Sequence, residues 1–269
     1  MKPHWGDLPF EDAIALLRGK TAIPTARWAD LWGAAHTRAF TVAGAMKADL
    51  LVDLRGAVDA ALADGESIGQ FRKRFDEIVD THGWQYRGPR KWRTDVIYST
   101  NIRTAYHAGR WRQQQRIKSR RPFLQYKHGE SRQPRETHLA WHDMVLSADD
   151  TFWDTHYPPN GWGCKCRVRS LGPRDLDRMG ISGPDPSPQI ETYEWTDRVT
   201  GETKSIPVGI DPGWEYNPGK AAIDAWRPDM TPYPPTLAAA LAGEIAGAVA
   251  GGAASVRDIL MGIENGDEM

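Results

Sequence analysis

Apolar residues recur at three- and four-residue steps through the first third of the chain, the pattern of helices with one buried stripe. PFEDAIALLRGK reads as a short amphipathic helix that stops near Gly19. Trp28, Leu31, Trp32 and Ala35 predict a second helix with Thr25 as its cap. A third is predicted over about 46–63, with Leu50, Leu51, Leu54, Val58 and Leu62 on one face and Asp64-Gly65 as its end. Ser67 and Gln70 stand at the spacing of a capping box. They open a fourth helix that turns Ile68, Phe71, Phe75 and Ile78 inward and stops at Gly83. After the basic, aromatic connector 84–92, a longer helix is predicted from about Thr94 to Lys118. Its expected packing stripe is Tyr98, Ile102, Ala105, Tyr106 and Gly109.

Beyond Pro122 the texture changes. PFLQYKHG predicts a strand, RETHLAWHD a short helix, SADDTFWDTHYPPNGWG a long loop, and CKCRVRSL a second strand. Trp153 and Trp162 are large for that loop and are expected to seal a site from water. Residues 172–188 are rich in Pro, Gly and Asp. Residues 191–208 predict a hairpin with its turn near Gly201, and 209–220 have no regular period. A proline-rich linker then leads into the Ala/Gly stretch 236–255. That stretch is long enough to cross a bilayer, but Ala and Gly gain little in lipid and Glu244 lies inside it. A soluble or partner-docked helix is expected there, and no membrane contact. The fold class predicted is α+β: a mainly helical N-terminal region (1–92), a small α+β module (93–220) with a Cys/His cluster, and a C-terminal arm (221–269).

The 34 basic and 35 acidic residues leave a formal net charge of −1, so no global charge argues for nucleic acid. Locally, eleven Lys/Arg between Arg87 and Arg121 face one acid, Asp95. Within that block Arg103, Arg110, Arg112, Arg116, Lys118, Arg120 and Arg121 are candidates for contact with a phosphate backbone. A solvated helix face, neutralised by acids elsewhere, is the simpler account. The N-terminal MKPHWGDLPFED has no apolar core of the kind an export signal needs.

Cys164 and Cys166 are the only two cysteines, which points to a reducing compartment or a metal site rather than a disulfide scaffold. On a strand they project from one face together with Val168 and Ser170. His138 and His142 stand four apart, so a helical turn would place both imidazoles on one stripe. Together the four make a Cys2His2 set suited to tetrahedral zinc, with His156 as the substitute for His142. Four protein ligands leave no position for water, so the expected role is structural. The thiols would otherwise be ordinary small buried hydrophobes.

The assembled stretches resemble the phage Mu protein F-like minor head proteins, within the wider group of phage head morphogenesis proteins. The matching stretches are PFEDAIALLRGK, FRKRFDEIVDTHGW, TDVIYSTNIRTAYHAGRWRQ, RETHLAWHDMVLSADDTFWDTHYPPNGWGCKCRV and VGIDPGWEYNPG. The resemblance covers roughly residues 8–220 and is most specific from Arg135 to Val168. It implies a low-copy virion component near the portal vertex, acting in head assembly and in DNA packaging or delivery. The implied partners are the portal protein, the major capsid protein, or both, with packaged double-stranded DNA touched without regard to sequence. Family members often carry Asp-Gly where this chain has His142-Asp143. Longer relatives carry an extra C-terminal region, and no effector domain is expected here.

A zinc-dependent nuclease or hydrolase is the competing function, with Glu136 or Asp143 as base. Metalloproteases with histidines at this spacing place Glu directly after the first; here Leu139 stands there. No catalytic residue is assigned, and the chain is expected not to be an enzyme.

Overall fold

The computed structural model describes residues 10–223. The proline-rich linker, the Ala/Gly stretch and most of the N-terminal segment read for an export signal lie outside the described residues. Two compact units make up the rest, one of residues 10–102 with 221–223 and one of residues 103–220. The division falls inside a helix that runs through the boundary expected at 92–93. No described helix is long and apolar enough to cross a membrane.

The first unit begins with α1 (Glu11–Arg18), closed at Gly19 as its sequence predicts. β1 (Thr21–Ala22) pairs in parallel with β2 (Ala39–Phe40). Between them the expected second helix is two 3-10 turns, Trp28–Asp30 and Gly33–Thr37. Gly33 at φ 51° breaks the helix. The cap is Asp30, whose carboxylate accepts from the amides of Ala26 and Arg27 at 2.9 and 2.8 Å. The Thr25 hydroxyl is buried and caps nothing. α2 (Ala48–Ala63) buries Leu50, Leu51, Leu54 and Val58. α3 (Ile68–His82) carries the Ser67–Gln70 capping box and ends at Gly83 with φ 60°.

α4 (Arg90–Arg116) starts earlier than its apolar pattern indicates. Pro89 precedes it, and its carbonyl accepts from the Arg93 amide at 3.0 Å, so the first turn forms on a residue suited to it. Its buried side is also rotated from the expected one. Thr94, Ile97, Asn101, Thr104, Ala105, Ala108, Trp111 and Gln114 are buried, while Tyr98, Ile102 and Tyr106 are only partly so. Polar residues can occupy that side because each is satisfied there. Thr94 Oγ1 donates to backbone carbonyls of the preceding turn, and Asn101 Nδ2 donates to the Ile97 carbonyl at 3.0 Å.

In the second unit β3 (Phe123–Lys127) is the middle of an antiparallel three-stranded sheet. α5 (Glu136–Ala140) leads to β4 (Val145–Ser147) on one side of β3, and α6 (Phe152–His156) precedes β5 (Arg167–Leu171) on the other. β5 places Val168 opposite Tyr126. α7 (Pro173–Met179) occupies part of the stretch expected to be irregular. Pro173 opens it, the Gly172 amide is held by Asp175 Oδ2 at 2.9 Å, and Gly180 ends it at φ 70°. β6 (Thr192–Thr196) and β7 (Thr203–Pro207) form the expected hairpin, and α8 (Pro218–Ile223) follows. Trp153, Tyr157, Phe152 and Trp111 pack with Leu124, Leu146 and both cysteines into one core.

Gln114 ties α4 into that core. Its Nε2 donates to the Val168 carbonyl at 3.1 Å, and its Oε1 accepts from the Tyr157 hydroxyl at 2.7 Å. Replacing Gln114 with Leu strands both partners in a buried setting. The expected loss is about 2–4 kcal/mol of unfolding free energy, read by urea denaturation.

Candidate metal centre

His138, Cys164 and Cys166 converge in the second unit, with their ligand atoms all within 4.8 Å of one another. All three are buried, at 3%, 7% and 3% exposure. α5 presents His138 toward the sheet, stacked on Trp141 at 5.2 Å between ring centroids. The cysteines stand just before β5 rather than within it. The in-out alternation still holds, with Lys165, Arg167 and Arg169 exposed between Cys164, Cys166 and Val168. An extended approach to a strand keeps the period of two without the ladder.

His138 Nε2 donates to the Gly209 carbonyl at 2.8 Å, so the lone pair sits on Nδ1. Nδ1 lies 3.5 Å from Cys166 Sγ and 3.9 Å from Cys164 Sγ. Tetrahedral zinc with ordinary Zn–N and Zn–S bonds separates such atoms by about 3.5 Å, so the trio is spaced to accept it. Thiolate and imidazole are also the donors that zinc selects.

The sulfurs are held by backbone amides. Cys164 accepts from the amides of Asn160 and Cys166, and Cys166 from that of Gly129. The Cys164 thiol donates to Cys166 and pulls its ionisation well below the ordinary thiol range; His138, Tyr126 and the Gly129 amide add to this. That same hydrogen bond, together with burial, pushes Cys164 up. One thiolate is thus already favoured, and a metal would complete the second deprotonation.

Two glycines let the backbone come this close. A Cβ on Gly129 would stand 2.0 Å from the Lys165 carbonyl oxygen. One on Gly209, at φ 90°, would meet Trp141 at 2.5 Å. Arg103 clamps the cysteine loop from α4, with Nη1 donating to the carbonyls of Gly163 and Cys164 at 3.0 and 2.8 Å. Sequence reasoning missed Gly129, Gly209 and this use of Arg103. The only signal was a glycine following each strand or hairpin, without its partner across the fold.

His142 is not in the cluster. α5 ends at Ala140, so the four-residue spacing does not carry through, and Trp141 takes the place beside His138. The His142 side chain is 41% exposed; Nδ1 accepts from the His128 amide at 3.0 Å and Nε2 lies 3.2 Å from Asp143 Oδ2. Asp143 has φ 69°, a conformation glycine adopts freely, which accounts for a chain reversal at this point. His156 does not replace His142. It is buried between Phe152, on which it stacks at 4.3 Å, and Trp141, with Nδ1 bonded to the Thr155 hydroxyl. Burial lowers its pKa to about 4. Trp153 is fully buried as expected, whereas Trp162 is 41% exposed and packs edge-on to Trp214 at 5.2 Å, so it seals nothing.

The basic block is largely engaged within the fold. Besides Arg103, Lys118 pairs with Asp149 at 2.6 Å, and Arg121 with Asp175 at 3.0 Å and the Ser170 carbonyl at 2.9 Å. Arg110 donates to Gln113 at 3.1 Å. Arg116 and Arg120 are exposed and Arg112 is half-buried.

Residues 53–169 match the family model of Phage Mu protein F like protein. Two curated relatives extend the match. The "Putative capsid assembly protein F" of Escherichia phage Mu is 35% identical over 245 residues, 80% of this chain. The Mu-like prophage FluMu F protein of Haemophilus influenzae is 34% identical over 224 residues, 74% of this chain. The chain belongs to the Mu F-like family. It spans about half the length of these two relatives, 55% and 54%. No solved structure matches it.

Three outcomes follow from the geometry. Element analysis of the purified chain should return about one zinc. Cys166→Ser should remove it and cost several kcal/mol of stability, because metal binding here is folding energy; His142→Ala should leave zinc content unchanged. Gly209→Ala should weaken zinc retention in a chelator titration, since the added methyl displaces the carbonyl that orients His138. Finally, burial holds His107 neutral with a pKa of about 4 against an ordinary 6.5. The unfolded chain takes up that proton first, so stability falls as pH drops from about 6.5 to 4 and levels off below. In chelator-treated protein His107→Gln should flatten this slope by about 3 kcal/mol across the window.

Proposed function

We propose that this chain acts in phage head assembly, as a structural component of the head near the portal vertex. The observation that carries the reading is family membership, with both relatives named as F proteins of Mu or a Mu-like prophage and one of them for capsid assembly. The segment matched by the family includes His138, Cys164 and Cys166. In this reading the second unit is a rigid module clasped by structural zinc, and it docks on the portal protein, the major capsid protein, or both.

Burial of the three donors supports a structural over a catalytic metal, because a substrate has no path to side chains less than 8% exposed. Contact with packaged DNA has weaker support. Arg103, Arg110, Lys118 and Arg121 spend their charge or hydrogen bonds inside the fold, leaving Arg112, Arg116 and Arg120 to carry it.

Disrupting the gene in its phage and complementing with the wild-type or Cys166→Ser chain tests the reading. The expected result is a loss of complete heads that only the wild type restores, with the chain detected in purified particles. Normal infectious particles without the chain would overturn it. For DNA, retention on duplex at low salt that falls steeply toward physiological ionic strength is expected of phosphate contact.

A further inference from the structure

Three protein donors leave a tetrahedral zinc one ligand short, and that fourth position separates a sealed site from a reactive one. Among the described residues no further His, Cys, Asp or Glu joins the cluster. A tyrosine oxygen does stand beside it. Tyr126 lies at the centre of the sheet on β3, with no exposure to solvent. Its ring meets His138 edge-on at 6.5 Å and Trp141 at 5.6 Å between centroids, which fixes the direction of the hydroxyl.

That hydroxyl is within hydrogen-bonding reach of the Cys166 sulfur. It also donates to Asn160 Oδ1 at 3.4 Å. Asn160 is itself locked, with Nδ2 donating to the His156 carbonyl at 2.8 Å, so its oxygen is the end offered to Tyr126. A phenol whose proton points to Asn160 keeps its oxygen lone pairs free on the side of the sulfurs. The same Asn160 gives its backbone amide to Cys164. One residue therefore orients a thiol ligand and the tyrosine together.

We propose that Tyr126 Oη is the fourth ligand, completing a Cys2HisTyr zinc centre that leaves no position for solvent. The assignment rests on the metal reading of His138, Cys164 and Cys166. It gives Tyr126, the only polar group on β3 that faces the sulfurs in this description, a task beyond packing.

Cobalt substitution of the full-length chain tests it, with azide as the probe of an open position. The wild type should bind one cobalt, show the visible spectrum of a four-coordinate ion, and ignore excess azide. Tyr126→Phe keeps the ring and its packing, so its melting in chelator should match that of the chelated wild type. It should bind cobalt at least tenfold more weakly, and its spectrum should shift on adding azide. A wild-type spectrum that responds to azide would overturn the assignment without any variant, as would a Phe variant that binds as tightly as the wild type. Both results leave the three-residue metal site standing. A wild-type chain that takes up neither cobalt nor zinc overturns the metal site and Tyr126 with it.

Discussion

The hydrogen bond from His138 Nε2 to the Gly209 carbonyl decides the character of the second unit. An imidazole has one lone pair when neutral, and this bond assigns it to the nitrogen that faces the sulfurs. Everything else in the site is arranged around that choice. Trp141 stacks on the ring, Gly209 has no side chain to push it aside, and backbone amides converge on the two sulfurs. Outer partners of this kind orient the ligands of a metal site before any metal arrives.

The centre also explains how a module with so small a sheet holds together. Three short strands bury little by themselves, and the segments that converge on the sulfurs come from β3, α5, the loop before β5 and the turn after β7. Joining segments far apart in sequence removes freedom from the unfolded chain, and a bound ion does this where a reducing environment would break a disulfide. Gln114 and Tyr157 perform a smaller version of the same task with hydrogen bonds.

Much of this was legible from residue order, and the failures have physical causes. The helices α1, α2 and α3 were legible because caps and apolar stripes agree: Gly19, Ser67 with Gln70, and Gly83 all act as their chemistry predicts. Hydropathy misplaced the buried side of α4 because Thr94, Asn101 and Gln114 are buried through hydrogen bonds that a pattern of apolar residues does not register. The α+β class and the trio His138, Cys164 and Cys166 were likewise readable, since their spacing is local. His142 was misread because the helix was assumed to continue past Ala140. Gly209 and Tyr126 were out of reach, as their relation to His138 exists only across the fold.

The hairpin of β6 and β7 closes at its base where the Val208 amide meets the Glu191 carbonyl at 2.8 Å. The next residue in the chain is Gly209. Mechanical strain on this exposed ribbon therefore reaches the imidazole's anchor after a single peptide unit. A neighbour in an assembled shell that gripped the ribbon would be pulling on the ion's own lashing, so that docking and metal retention become two readings of one tension.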